Sequence, residues 1–249
     1  MLVTLMGICS WLKNILFPPR CIFCNCFIEP SSHNYFCKNC IGKVEFCSEN
    51  ICCVKCGKPI ESFGKKQLCY FCANEKTKYF NRIISVFIYK DLARDAVKRF
   101  KSKGLISYTE TFSQCLVAQI ADEYNEIHFD FLCGVMPNNS KKSKRKDFDQ
   151  VQLLCERLSV KLGLPYMNKI FARTRETQKQ SRLGYLERQN NLKDSVKVIS
   201  RCNVKNKSVL LVDDVCTTRA SIIEYARALK TAGAKNVYAA TVATVKNPK

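Results

Sequence analysis

The hydrophobic pattern of this chain changes texture near residue 78. Beyond that point, apolar runs and helical stripes alternate. Residues 82–89 (RIISVFIY) are β-branched and aromatic and predict a strand. Residues 91–101 place Leu92, Ala96, Val97 and Phe100 on one face and predict a helix. Residues 109–124 read as a second helix. Residues 129–136 form a short apolar run, ended by Pro137, Asn138 and Asn139. Residues 148–162 fit an amphipathic helix, stopped by Gly163 and Pro165. A near-continuous apolar run follows at 209–215 and carries two aspartates. A helix at 221–232, ended by Gly233, and a strand at 236–245 complete the pattern. Strands that alternate with helices predict an α/β domain built on a parallel sheet.

Before residue 78 the dominant feature is cysteine. The chain has 17 cysteines in 249 residues. Cys21-x2-Cys24-x12-Cys37-x2-Cys40 is repeated 32 residues later as Cys53-x2-Cys56-x12-Cys69-x2-Cys72. The N-terminal stretch MLVTLMGICSWLKNILFPP is apolar, but it lacks a basic segment ahead of its apolar run, and Lys13 and Asn14 interrupt it. It is therefore neither a secretory signal nor long enough to span a bilayer. The expected location is the cytoplasm, with peripheral docking on the inner membrane face left open. In that setting paired CxxC motifs read as metal ligands rather than disulfides.

Each CxxC turn presents two thiolates, and two turns complete a closed tetrahedral zinc site. The expected ligands are Cys21, Cys24, Cys37, Cys40, Cys53, Cys56, Cys69 and Cys72. Sequential and cross-braced pairings of the motifs both remain open. Gly57 suits the knuckle after Cys56, where a positive φ is useful. Cys9, Cys26, Cys47 and Cys52 are read as non-ligands, with Cys26 the rival of Cys24, and His33 as incidental. Closed sites have no open coordination position, so the module is expected to serve structure or docking. Zinc should supply much of its folding free energy.

Charge adds a second theme. Lys and Arg number 41 against 21 Asp and Glu, a net +20. Such a chain favours polyanionic partners such as nucleic acid or phosphorylated metabolites. A hydrophobic fraction of 47% excludes wholesale disorder. Lys55, Lys58, Lys65 and Lys66 are candidates for phosphate contact or for solvation. Lys141, Lys142, Lys144, Arg145 and Lys146 form a basic loop after a predicted strand end, suited to pyrophosphate or single-stranded DNA. Asp213 and Asp214 stand at the carboxyl end of the predicted central strand, where open parallel sheets bind ligands. Adjacent carboxylates there are costly unless they hold a cation or sugar hydroxyls. Thr217, Thr218, Arg219, Ala220 and Ser221 lead into a helix whose N-terminus favours an anion.

The run VLLVDDVCTTRAS resembles the phosphoribosyl pyrophosphate (PRPP) signature of type I phosphoribosyltransferases. The resemblance implies that Asp213 and Asp214 hold the ribose hydroxyls, with magnesium nearby. It also implies that residues 217–221 hold the 5′-phosphate. Arg219 stands where that family usually has Gly, with its side chain expected toward phosphate. Over nearly its full length the chain resembles the ComF competence proteins. The matching features are LFPPRCIFC, CVKCGKPI, Tyr89, Lys101, Met136-Pro137, Phe148 and Gln150 in KDFDQ, and Arg173, Thr174, Thr177, Gln180, Leu183, Arg188 and Asn191. Asp147 and Asp149 depart from that pattern. As acidic groups beside a pyrophosphate site, they would have to ligate magnesium. Arg173, Arg175, Arg182 and Arg188 are read as phosphate contacts or as anchors of a mobile hood.

The fold expected from the resemblance is α/β: a type I phosphoribosyltransferase-like parallel sheet at residues 79–249, preceded by a small double zinc ribbon at residues 1–78. Two functions stay open. One is a PRPP-binding protein linked to natural competence and the processing of incoming DNA, of phosphoribosyltransferase (pentosyltransferase) type, with no general base identifiable. The other is a non-enzymatic adapter that binds single-stranded DNA or competence-machinery proteins through its ribbons and basic surface.

Overall fold

A computed structural model describes residues 20–29, 36–61, 67–75, 79–103, 106–136, 149–177, 187, 191–199 and 202–246. The boundary expected near residue 78 lies outside the described residues. Two short helical turns, α1 (Lys38–Ile41) and α2 (Tyr70–Ala73), sit in the cysteine-rich module. The sheet domain follows as β1 (Arg82–Ile88), α3 (Asp91–Lys103), α4 (Ile106–Glu123), β2 (Phe131–Gly134), α5 (Gln150–Leu162), β3 (Phe171–Arg173), β4 (Val196–Val198), β5 (Ser208–Cys216), α6 (Ala220–Thr231) and β6 (Asn236–Thr244).

Four strands pair in the order β1-β6-β5-β2, and every pairing is parallel. A parallel sheet is covered on both faces, so its strands read as continuous apolar runs. Side chains still alternate between the faces. Leu210 and Val212 of β5 face α3, α4 and α5, with Phe100, Phe112, Leu116, Leu154 and Leu158. Val209 and Leu211 face the opposite side, with Ile222, Tyr225, Ala226 and Leu229 of α6. Each such fully buried side chain contributes roughly 1.5–3 kcal/mol relative to exposure. Two polar groups inside the sheet satisfy each other, the Ser85 and Thr241 hydroxyls at 2.7 Å.

The helix boundaries have local causes. Asp149 caps α5, accepting from Val151 N at 2.9 Å and from Gln152 N. Gly163, in the left-handed region at φ 64°, ends it. Among the described residues no helix is long and apolar enough to cross a membrane.

The two cysteine knuckles clasp β1 from opposite faces. Cys21, Ile22, Phe23 and Val44 join the core under α3 and α4, where Phe23 meets Phe87 edge-on at 5.9 Å. Cys53, Cys56, Cys69 and Cys72 join the core under α6. The backbone of β1 bonds to both, as Ile83 N donates to Lys55 O at 2.8 Å and Ile88 N to Glu45 O at 2.9 Å.

Against the other side of α6 lies a small antiparallel pair, β3 with β4, which the hydrophobic pattern did not predict. Buried Glu224 of α6 accepts from Val196 N at 3.0 Å and from Asp194 N at 3.2 Å, and Arg227 donates to Val196 O at 2.8 Å. Phe171 packs edge-on against Tyr225 at 4.8 Å.

Gly57 allows the second knuckle to reach the sheet. It sits at φ +65°, and a Cβ there would lie 2.5 Å from the carbonyl oxygen of Ile83. Gly57→Ala is therefore expected to cost about 1–3 kcal/mol. A lowered midpoint in thermal or urea unfolding of the zinc-loaded chain checks this, and an unchanged midpoint would show that the knuckle docks more loosely.

Candidate metal centres and phosphate loop

The eight expected ligands gather into two groups, Cys21, Cys24, Cys37 and Cys40, and Cys53, Cys56, Cys69 and Cys72. Within each group the sulfur atoms all lie within 4.8 Å of one another. The pairing is thus sequential and not cross-braced. Two thiolates on one tetrahedral zinc stand about 3.8 Å apart, given Zn–S bonds of about 2.3 Å. The Cys24–Cys37 and Cys56–Cys69 separations are both 3.7 Å, so each group fits the ion. The two knuckles share a backbone design. Cys37 N points at Cys21 Sγ at 3.4 Å, and Cys69 N at Cys53 Sγ at 3.3 Å. Asn25 at φ 64° takes the turn position that Gly57 takes in the second copy.

Cys26 follows that turn, one residue beyond it, with its sulfur 3.2 Å from Cys24 Sγ and outside the first group of four. Cys47 and Cys52 also lie outside both groups, and Cys9 and His33 lie outside the described residues. The centres differ in exposure. Cys24 is exposed and Cys37 half-buried at the first, whereas all four sulfur ligands of the second are buried.

Four thiolates and one zinc ion carry a net charge of about −2. The buried second centre meets it with Arg219. Its Nη1 donates to Cys72 Sγ at 3.1 Å and lies 3.6 Å from Glu75 Oε1. Glu75 also takes Lys55 Nζ at 2.7 Å. Lys58, only 1% exposed, donates from Nζ to Thr217 O at 2.5 Å. The side chain expected toward phosphate is thus committed to the ribbon, because a buried anionic centre stands beside it. The backbone of Arg219 nonetheless keeps what Gly would supply, φ 65°, at the N-cap of α6.

The loop lies at the carboxyl end of β5, as expected. Asp213 is buried at register with Thr241 of β6. Its Oδ1 accepts from Asp214 N at 2.8 Å. Thr218, Arg219 and Ala220 are buried, and Thr218 Oγ1 accepts from Ala220 N at 3.4 Å. Lys101 at the end of α3 pairs with Asp214 at 2.8 Å. Burial works against the Lys101 ammonium, but Asp214 beside it holds its pKa above the usual value. Burial, with the Asp214 charge beside it, pushes the Asp213 carboxyl up to about 8. Gln150 donates to Lys101 O at 3.1 Å and steadies that helix end. Asp149, read as unfavourable beside a pyrophosphate site unless it ligates magnesium, caps α5. Asp147, Lys65, Lys66, Lys141, Lys142, Lys144, Arg145, Lys146, Gln180, Arg182, Leu183 and Arg188 lie outside the described residues. Arg175 donates to Asn191 O at 3.1 Å and to Lys193 O at 2.8 Å, and Thr174 donates to Asp194 O at 2.5 Å, so this segment anchors the β3–β4 pair.

Lys58, a candidate for phosphate contact or for solvation, holds a loop carbonyl instead of facing solvent, and the roles of Glu75 and of Lys101 as the partner of Asp214 have no signal in the sequence pattern. A folded-state pKa raised above the unfolded value opposes stability increasingly as pH climbs between the two. Asp213→Asn is therefore expected to raise Tm of the ligand-free chain. The gain should be small near pH 5, larger near pH 7 and level above about pH 8, the value to which Asp213 is raised. Thermal melts across that range check it, and a pH-independent gain would contradict the buried-carboxyl account.

The matches to known proteins fall on the same two parts of the chain. The double zinc ribbon domain family matches residues 12–73, and the phosphoribosyl transferase domain family matches residues 151–249. Competence protein F of Haemophilus influenzae is 24% identical over 220 residues, covering 82% of this chain and 94% of that protein. Competence protein ComFC of Bacillus subtilis is 24% identical over 205 residues, covering 78% and 77% respectively. The DNA utilization protein YhgH of Escherichia coli K12 is 25% identical over 187 residues, covering 74% and 80%. Two four-cysteine centres joined to a parallel sheet, with matches to the double zinc ribbon and phosphoribosyl transferase domain families, make this chain similar over most of its length to competence proteins F and ComFC.

Proposed function

We propose that the chain binds PRPP with magnesium through Asp213, Asp214 and residues 217–221, as part of handling incoming DNA. The observation that carries this reading is the pairing of two carboxylates with a left-handed turn into α6, at the end of a central parallel strand. Vicinal ribose hydroxyls suit the carboxylates. Backbone donors and the dipole at the start of α6 suit the 5′-phosphate. Magnesium bound with PRPP would offset the charge of the pyrophosphate. In the ligand-free chain Lys101 balances Asp214, and a bound ribose would share or displace that contact. The Lys141–Lys146 segment supplies cations for pyrophosphate in this reading. Support for the DNA context comes from relatives named for competence and for DNA utilization.

Transfer from PRPP passes through an oxocarbenium-like state, so positioning and charge stabilisation would provide most of any catalysis. The reading commits to binding. The net charge of +20 favours a second reading, a single-stranded DNA-binding or partner-docking adapter.

Isothermal titration with PRPP and magnesium decides between them. The wild type is expected to give saturable heat. The Asp213→Ala/Asp214→Ala variant should lose about 3 kcal/mol, roughly a hundredfold in affinity, with the hydrogen bonds to the ribose hydroxyls removed. No heat from the wild type, together with tight, salt-dependent binding of single-stranded DNA, would give the function to the adapter reading.

A further inference from the structure

Two buried cations tie the phosphate loop to the second zinc ribbon. Lys58 comes from the knuckle that supplies Cys56, and its ammonium holds the carbonyl of Thr217. Arg219 comes from the loop, and its guanidinium holds the sulfur of Cys72 and lies by Glu75. Arg219 is 4% exposed and sits in the left-handed region at φ 65°. For a residue with a Cβ that conformation costs roughly 1–2 kcal/mol. The contacts of its guanidinium offset that cost, among them Cys72 Sγ at 3.1 Å and Glu75 Oε1 at 3.6 Å. Cys72 belongs to the second four-cysteine group, so a zinc ion there would fix the sulfur that Arg219 holds.

The first ribbon has no such link to the loop among the described contacts. It is held by Arg99 of α3, which donates to Ile22 O at 2.8 Å and Phe23 O at 2.7 Å. Its core contacts lie on the opposite face of the sheet.

We propose that Lys58 and Arg219 are positioning residues through which the second zinc centre, and not the first, holds the phosphate loop in its ligand-binding shape. Coupling of this kind is reciprocal, so a ligand seated in the loop holds the second zinc in return. The proposal rests on the PRPP reading above.

The test follows zinc transfer from the full-length, zinc-loaded chain to a zinc-selective chromophoric chelator. The rate is compared in saturating PRPP with magnesium and in magnesium alone, and binding is read in parallel by calorimetry. The expected result is that PRPP slows release of one zinc equivalent by at least about fivefold and leaves the other unchanged. Arg219→Gly keeps the backbone conformation and removes the guanidinium, and it is expected to abolish the slowing. Lys58→Met keeps the aliphatic stem, removes the ammonium and should do the same. PRPP heat from the wild type with no slowing, or with equal slowing of both equivalents, overturns this proposal and leaves the binding reading intact. Slowing that persists in either variant overturns the role of that residue. Absence of PRPP heat from the wild type overturns the binding reading and this inference with it.

Discussion

A dianionic cluster of four thiolates and a zinc ion cannot sit in a dry pocket without nearby positive charge. At the second centre that charge arrives as the guanidinium of Arg219, which belongs to the turn between β5 and α6. This one requirement reaches a long way. It fixes a non-glycine residue in a left-handed conformation. Arg219 is also the N-cap of α6, and Lys58 from the same ribbon holds the Thr217 carbonyl just beyond β5. The loop and the ribbon are parts of one electrostatic unit, although 147 residues separate Arg219 from Cys72.

The sheet supplies the rigid frame for that unit. Its two apolar faces are filled independently, and each takes one ribbon into its core. The acidic pair emerges at the carboxyl end of β5 between Lys101 on one side and the loop on the other. Burial and the neighbouring Asp214 charge raise the Asp213 carboxyl pKa, while Asp214 is paired with Lys101.

Much of this was legible in the sequence, for identifiable reasons. A parallel strand covered on both faces writes an unbroken apolar run, so β1, β5 and β6 stand out. The CxxC repeat reads directly because ligand spacing is set by the geometry of one turn. The β3–β4 pair left no such trace. Its strands have three residues each, and they are held by Glu224 and Arg227 rather than by their own pattern. Lys58 could be read only as a phosphate contact or a solvated lysine, because its burial depends on a carbonyl 159 residues away. Arg219 looked like a phosphate contact, because nothing local distinguishes an arginine that faces a ligand from one that faces a metal centre. Asp149 looked like a misplaced charge, yet at a helix start a carboxylate is a good capping group.

The position of β1 in the strand order has one more consequence. It is an outermost strand, paired on one side only with β6. On its other side the amide groups of Ile83 and Ile88 are taken by carbonyls of the cysteine module, at Lys55 and Glu45. The ribbons thereby act as a selvedge that stops the sheet from growing. A chain stripped of its metal would bare a hydrophobic border of β-branched residues, a template onto which a strand of another molecule can add. The metal-binding module thus has a second place in the architecture, as the cover of a sheet edge.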